Sequence, residues 1–170
     1  LGGGKERKGN GKRTEETRSL GAFTGVELRG GFNVTWSPGR HPQATITGDS
    51  NLVADVYTKV EGSTLVIGTT ESTSSSRPIA IALTSSSLQA LTIRGSGDFT
   101  AEAIDERDLA VEIRGSGDVT LQGAVETLRV DIRGSGDVDT LALPAKQAEI
   151  EIRGSGDVEI NATKRAEVQI

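Results

Sequence analysis

The chain has no cysteine and no methionine, and only one histidine, one tryptophan and one tyrosine. Without cysteine there is neither a disulfide framework nor a thiolate metal site, and the redox compartment stays undecided. The single histidine, His41, precedes Pro42 in an expected loop with no evident acid partner, so it reads as an ordinary surface residue rather than a general base. No apolar run approaches the roughly 20 residues that a membrane-spanning helix needs. Basic charge is also short: the formal net charge is −5, which gives the whole chain no electrostatic footprint for nucleic acid or an anionic membrane. Aromatic residues make up 3% and hydrophobic residues 34% of 170 residues, enough for one domain with a long, thin core.

What is plentiful is glycine, at 22 residues, together with Ser, Thr and small β-branched side chains. That composition suits short strands joined by tight turns, and the class it predicts is all-β. The pentapeptide Arg-Gly-Ser-Gly-Asp occurs four times, at Arg94 to Asp98, Arg114 to Asp118, Arg133 to Asp137 and Arg153 to Asp157, with spacings of 20, 19 and 20 residues. A tandem period of about twenty, with an apolar strand before and after each copy, predicts a parallel β-solenoid in which each repeat is one coil.

Alternation then assigns the faces. In Leu91-Thr92-Ile93, Val111-Glu112-Ile113, Val130-Asp131-Ile132 and Ile150-Glu151-Ile152 the outer pair points inward and the middle residue meets water. Phe99, Val119, Val138 and Val158 return the chain to the core, and Leu109, Leu128 and Ala148 extend the inward face. Equivalent positions on successive coils are expected to stack at ~4.8 Å. The two glycines of each copy turn the corner and let neighbouring corners nest. They are not a phosphate cradle, because no helix pattern follows them.

Residues 1–19 read as a flexible tether rich in Gly, Lys and Arg, with no apolar residue between Leu1 and Leu20. Residues 20–170 then form a single solenoid domain, irregular over 20–78 and regular over 79–170. Within the irregular part, Val26 to Val34 is a worn copy of the repeat, with Asn33 in the Asp position. Val56 to Val60 and Leu65 to Ile67, separated by Glu61-Gly62-Ser63, predict a hairpin, and the Ser-rich stretch 71–76 predicts a loop. Trp36 offers a face for stacking on a sugar, but its parity with Phe32 and Val34 favours the core.

Stacking creates charged columns. Arg94, Arg114, Arg133 and Arg153 form one, and Asp98, Asp118, Asp137 and Asp157 another, with Glu112, Asp131 and Glu151 outward just upstream. Like charges ~4.8 Å apart repel by ~0.9 kcal/mol at the dielectric of water. A basic column between acidic ones is locally compensated, which by itself makes a soluble, aggregation-resistant surface. The sharper reading is a periodic strip that recognises a periodic ligand such as a polysaccharide through multivalency. Adjacent carboxylates also leave room for an alternative, a carbohydrate-active lyase or hydrolase. A ladder gives every carboxylate nearly the same surroundings, however, and acid–base pairs need unlike ones. Calcium-binding β-rolls use a period of about nine with Asp spaced from the second Gly. The Asp here follows that Gly directly, so no metal and no cofactor is expected.

The layout Phe23-Thr24-Gly25-Val26-Glu27-Leu28, then Thr47-Gly48-Asp49-Ser50-Asn51-Leu52, then Val60-Glu61-Gly62-Ser63-Thr64-Leu65-Val66-Ile67, with repeated Gly-Ser-Gly-Asp-Val, resembles the GIN domain family. That family is also called the putative autotransporter adhesin head domain, and the resemblance covers about residues 20 to 170. It implies a right-handed parallel β-helix exported to the bacterial periplasm or cell surface, behind a signal peptide or lipid anchor outside this chain. It brings no catalytic residues with it. Glu167-Val168-Gln169-Ile170 looks like the strand that enters a further pentapeptide, which marks either a break inside a repeat or an exposed edge. The function expected is a non-enzymatic envelope or surface binding module, with membrane association only through such an anchor and with self-assembly through solenoid ends as a further alternative.

Overall fold

The computed structural model describes residues 7–71, 73–74 and 77–170. Its elements are β1 (Arg7–Lys8), β2 (Arg13–Ser19), β3 (Gly25–Arg29), β4 (Asn33–Pro38), β5 (Gln43–Asp49), α1 (Ser50–Val53), β6 (Val56–Glu61), β7 (Thr64–Thr69) and β8 (Thr73–Ser74). There follow β9 (Ala80–Ser85), β10 (Ala90–Gly95), β11 (Asp98–Gly115), β12 (Asp118–Gly134), β13 (Asp137–Asp139), β14 (Ala145–Gly154), β15 (Val158–Glu159) and β16 (Ala162–Gln169). No helix among the described residues is long and apolar enough to cross a membrane.

The protein is all-β, but it is not the single right-handed parallel β-helix that the repeats predict. Among the described residues fourteen strands form one mixed, curled half-barrel sheet, and antiparallel pairing joins β2 to β5, β5 to β9 and β6 to β7. The reason lies in where the pentapeptide is absent. The exact repeats supply a matched corner at every turn, and with it a parallel register; β2, β5, β6 and β9 carry no such corner and pair by adjacency and alternation instead. The hairpin expected around Glu61-Gly62-Ser63 is present as β6 and β7.

Among the described residues every parallel pair includes a strand of the worn copy or of the repeats, apart from the short β1–β8 pair; β7 and β9, which carry no corner, pair parallel with β3 and β4 of the worn copy. Leu91, Val111, Val130 and Ile150 stand side by side, as do Ile93, Ile113, Ile132 and Ile152. The worn copy joins them on the other side, with Val26 beside Leu91 and Leu28 beside Ile93. These residues face the core and are almost fully buried, whereas the intervening Thr92, Glu112, Asp131 and Glu151 keep contact with solvent. The one-residue difference between repeat spacings has a local cause. Between Ala101 and Ile104 the register of β11 against β12 slips, and Ala103, at φ 55°, takes up the extra residue as a bulge.

The remaining N-terminal residues are more ordered than a tether. Arg13–Ser19, assigned to the tether by composition, pair along β5 as strand β2, while residues 1–6 lie outside the described residues. No apolar side chain announces this strand; it is held by its backbone ladder and by Arg18, whose guanidinium donates to the Val56 carbonyl at 2.7 Å and to Glu16 at 2.7 Å. The loop expected over 71–76 lies partly outside the described residues. Trp36 is 3% exposed and its Nε1 donates to Ser85 Oγ at 2.9 Å, so it is a core residue and offers no stacking face. His41 is exposed, as expected.

Candidate binding surface

Strand parity places the outward side chains of the repeat-bearing sheet in parallel columns. The arginines stand in register as Arg29, Arg94, Arg114, Arg133 and Arg153. Arg29 is the member that the exact pentapeptide does not show; the worn copy Val26 to Val34 is the signal that finds it. The column survives its own repulsion because acids two residues upstream on the same strand face it. Arg114 Nε lies 2.7 Å from Glu112 Oε1, Arg153 Nη2 lies 2.9 Å from Glu151 Oε1, and Arg29 Nη2 lies 2.7 Å from Glu27 Oε2. Arg94, whose upstream neighbour is Thr92, reaches across to Glu27 Oε1 at 3.7 Å. The hydrogen bond to Glu27, and then one to Tyr57, hold the Arg29 guanidinium above its ordinary pKa.

The aspartates have a different occupation. Asp98 Oδ1 accepts from the Asp118 amide at 3.3 Å, Asp118 Oδ1 from the Asp137 amide at 3.4 Å, and Asp137 Oδ1 from the Asp157 amide at 3.1 Å. Each carboxylate thus ties its corner to the next one. The serine amides continue the same ladder, with Ser116, Ser135 and Ser155 donating to the carbonyls of Gly95, Gly115 and Gly134 at 3.0 Å each. Three of the aspartates thus brace the corners through one oxygen each, while the aspartates, like the arginines and serines of the pentapeptide, remain exposed.

Beside the arginine column lies a groove of about 550 Å³. One side is Ala90, Ala110, Arg129, Glu149 and Glu167; the other is Thr92, Glu112, Asp131, Glu151 and Gln169. Arg129 is tied to Glu149 at 3.3 Å, which leaves the lining acidic beside a basic wall. Small residues at the Ala90 and Ala110 end and long ones at the Glu149 end make the groove. Among the described residues no group of three or more His, Cys, Asp or Glu side chains is arranged to hold a metal ion.

The chain also matches a known family. Residues 22–170 match the family model described as "Putative auto-transporter adhesin, head GIN domain". The chain belongs to that family. Among solved structures it is similar to a putative adhesin from Bacteroides fragilis, with a TM-score of 0.77, 21% identity, and coverage of 95% of this chain and 87% of that one. A putative adhesin from Parabacteroides merdae follows, with a TM-score of 0.64, 18% identity, and coverage of 96% and 83%. A protein from Parabacteroides distasonis described as a putative lipid binding protein shares the fold too, with a TM-score of 0.63, 17% identity, and coverage of 96% and 97%. No curated protein matches the chain. At these identities the neighbours establish the GIN-domain fold, and the adhesin description of the family suggests a non-enzymatic role at the cell surface.

Proposed function

We propose that this GIN domain is a surface binding module whose outer face takes a polysaccharide along the arginine column and the groove beside it. The observation that carries the reading is the in-register column of five arginines flanking an acidic groove of about 550 Å³. A repeating polymer presents equivalent groups at regular intervals, and strands at ~4.8 Å spacing present equivalent guanidiniums to meet them. Single contacts of this kind are weak at an exposed surface, so useful affinity comes from several rungs engaging one chain.

The test is a glycan array probed with the wild type and with a variant in which Arg94, Arg114, Arg133 and Arg153 are all serine. These side chains are exposed, so the variant is expected to melt within a few degrees of the wild type. Its array signal is expected to fall at least tenfold, roughly the loss of two or more charge-assisted contacts. Equal signals from the two proteins would remove the column from recognition. Polysaccharide recovered after incubation is expected at its original length, and shortened chains would favour a lyase or hydrolase.

A further inference from the structure

The two ends of the sheet are finished differently. At one end the edge strands β2 and β6 are tied together by Arg18, which donates to the Val56 carbonyl at 2.7 Å and to Thr58 Oγ1 at 3.3 Å. A long basic side chain laid across an edge occupies acceptors that an incoming strand would use. At the other end, among the described residues, β16 pairs with β14 alone. Its charges answer each other along the strand, Arg165 with Glu167. The inner face opens here too. Ala148 and Ile150 are buried, but Ala166 and Val168, beside them in register, are exposed. Two of the three large hydrophobic side chains exposed among the described residues, Val168 at 53% and Ile170 at 94%, belong to this one edge. Unpaired backbone beside exposed apolar side chains is a template for one more strand.

We propose that β16 is a self-association edge on which a second copy of the chain lays its own β16 antiparallel, about a twofold axis, so that the sheet runs from one molecule into the other. Charge order on the strand selects the partner and the register. With the axis beside Ala166, Arg165 stands opposite Glu167 of the second copy and Glu167 opposite its Arg165. Each charge keeps its neighbour along the strand and gains an opposite one across the interface. Ala166 and Val168 of both copies fall on the inner face and extend the apolar layer. Other registers lose this match. An axis beside Arg165 or Glu167 sets like charges opposite each other, and one beside Val168 faces Glu167 with Gln169. Head-to-tail stacking would need the far end, whose edge Arg18 already spans. The interface lies on the edge of the sheet and not on its outer face, so it stands or falls separately from polysaccharide binding.

Sedimentation equilibrium of the chain over roughly 1 μM to 1 mM is expected to show a reversible monomer–dimer equilibrium, with Kd on the order of 100 μM for so small an interface. Arg165→Glu and Glu167→Arg are each expected to weaken the dimer at least tenfold, because each sets like charges opposite one another. Mixing these two single variants is expected to restore a dimer containing one copy of each, with at least wild-type affinity. Both side chains are exposed, so melting temperatures are expected to stay within a few degrees of the wild type. Val168→Lys, which places a charge on the inner face of the interface, is also expected to weaken the dimer at least tenfold and carries the test if a charge variant folds poorly. A wild type that stays monomeric throughout, or that grows into species larger than a dimer, would overturn the proposal. So would wild-type dimerisation of the single variants, or a mixture of the two that remains monomeric.

Discussion

Replacing Gly134 with alanine is expected to destabilise the protein by about 4 kcal/mol, or roughly 8–16 °C in melting temperature for a chain of this size. Two costs combine at this position. Gly134 sits at φ 137°, a conformation that L residues seldom adopt, and a Cβ built on it would overlap the Gly115 carbonyl on the neighbouring strand. That carbonyl cannot retreat, because it accepts the Ser135 amide at 3.0 Å. Gly62 is the matched control. It also has a positive φ, 63°, but a Cβ there would meet nothing within 4 Å, so alanine is expected to cost only about 1 kcal/mol. Thermal unfolding of the two variants separates the cost of nesting from the cost of the dihedral angle, and equal shifts would show that the corners do not nest.

Truncating Ile132 to alanine is expected to cost about 2–5 kcal/mol. Its side chain is 0% exposed between Ile113 and Ile152 in the central column of the core, and its Cγ2 lies under the second glycine of the next corner, where it would come within 3.0 Å of a Cβ on Gly156. Removing it therefore opens a cavity and takes away the floor on which the following corner rests. The adjacent Arg133 points the other way, and its truncation to alanine is expected to change stability by no more than about 0.5 kcal/mol. Urea unfolding followed by the buried Trp36 reports both, with the midpoint moving in the first variant and the slope unchanged. Similar midpoints would contradict the inward and outward assignment of this strand.

The regular columns were legible in the sequence because one spacing determined both parity and register: once Arg94 and Arg114 are equivalent, so are Ile93 and Ile113. The same regularity misled beyond its own range. Gln43–Asp49 and Ala80–Ser85 alternate as strands do, but alternation is silent about strand direction, and these two pair antiparallel. Arg13–Ser19 escaped notice because an edge strand fastened by its backbone and an arginine needs no apolar face. The columns of the candidate site were visible from the repeats, while the groove was not, since it depends on the size difference between Ala90 or Ala110 and Glu149 across the sheet. The division of labour within the pentapeptide was half visible. Glycine chemistry announced the corner, but only the geometry shows three exposed aspartate carboxylates each accepting a backbone amide through Oδ1.

That division is tested most directly by changing Asp98, Asp118 and Asp137 together to asparagine and reading the result on the glycan array beside the four-arginine variant. Asparagine keeps the carbonyl oxygen that accepts each amide and removes only the charge. If aspartate is scaffold and arginine is surface, the asparagine variant folds and binds polysaccharide as the wild type does, while the arginine variant folds and does not bind. Loss of binding in the asparagine variant at an unchanged melting temperature, with binding retained in the arginine variant, would contradict it.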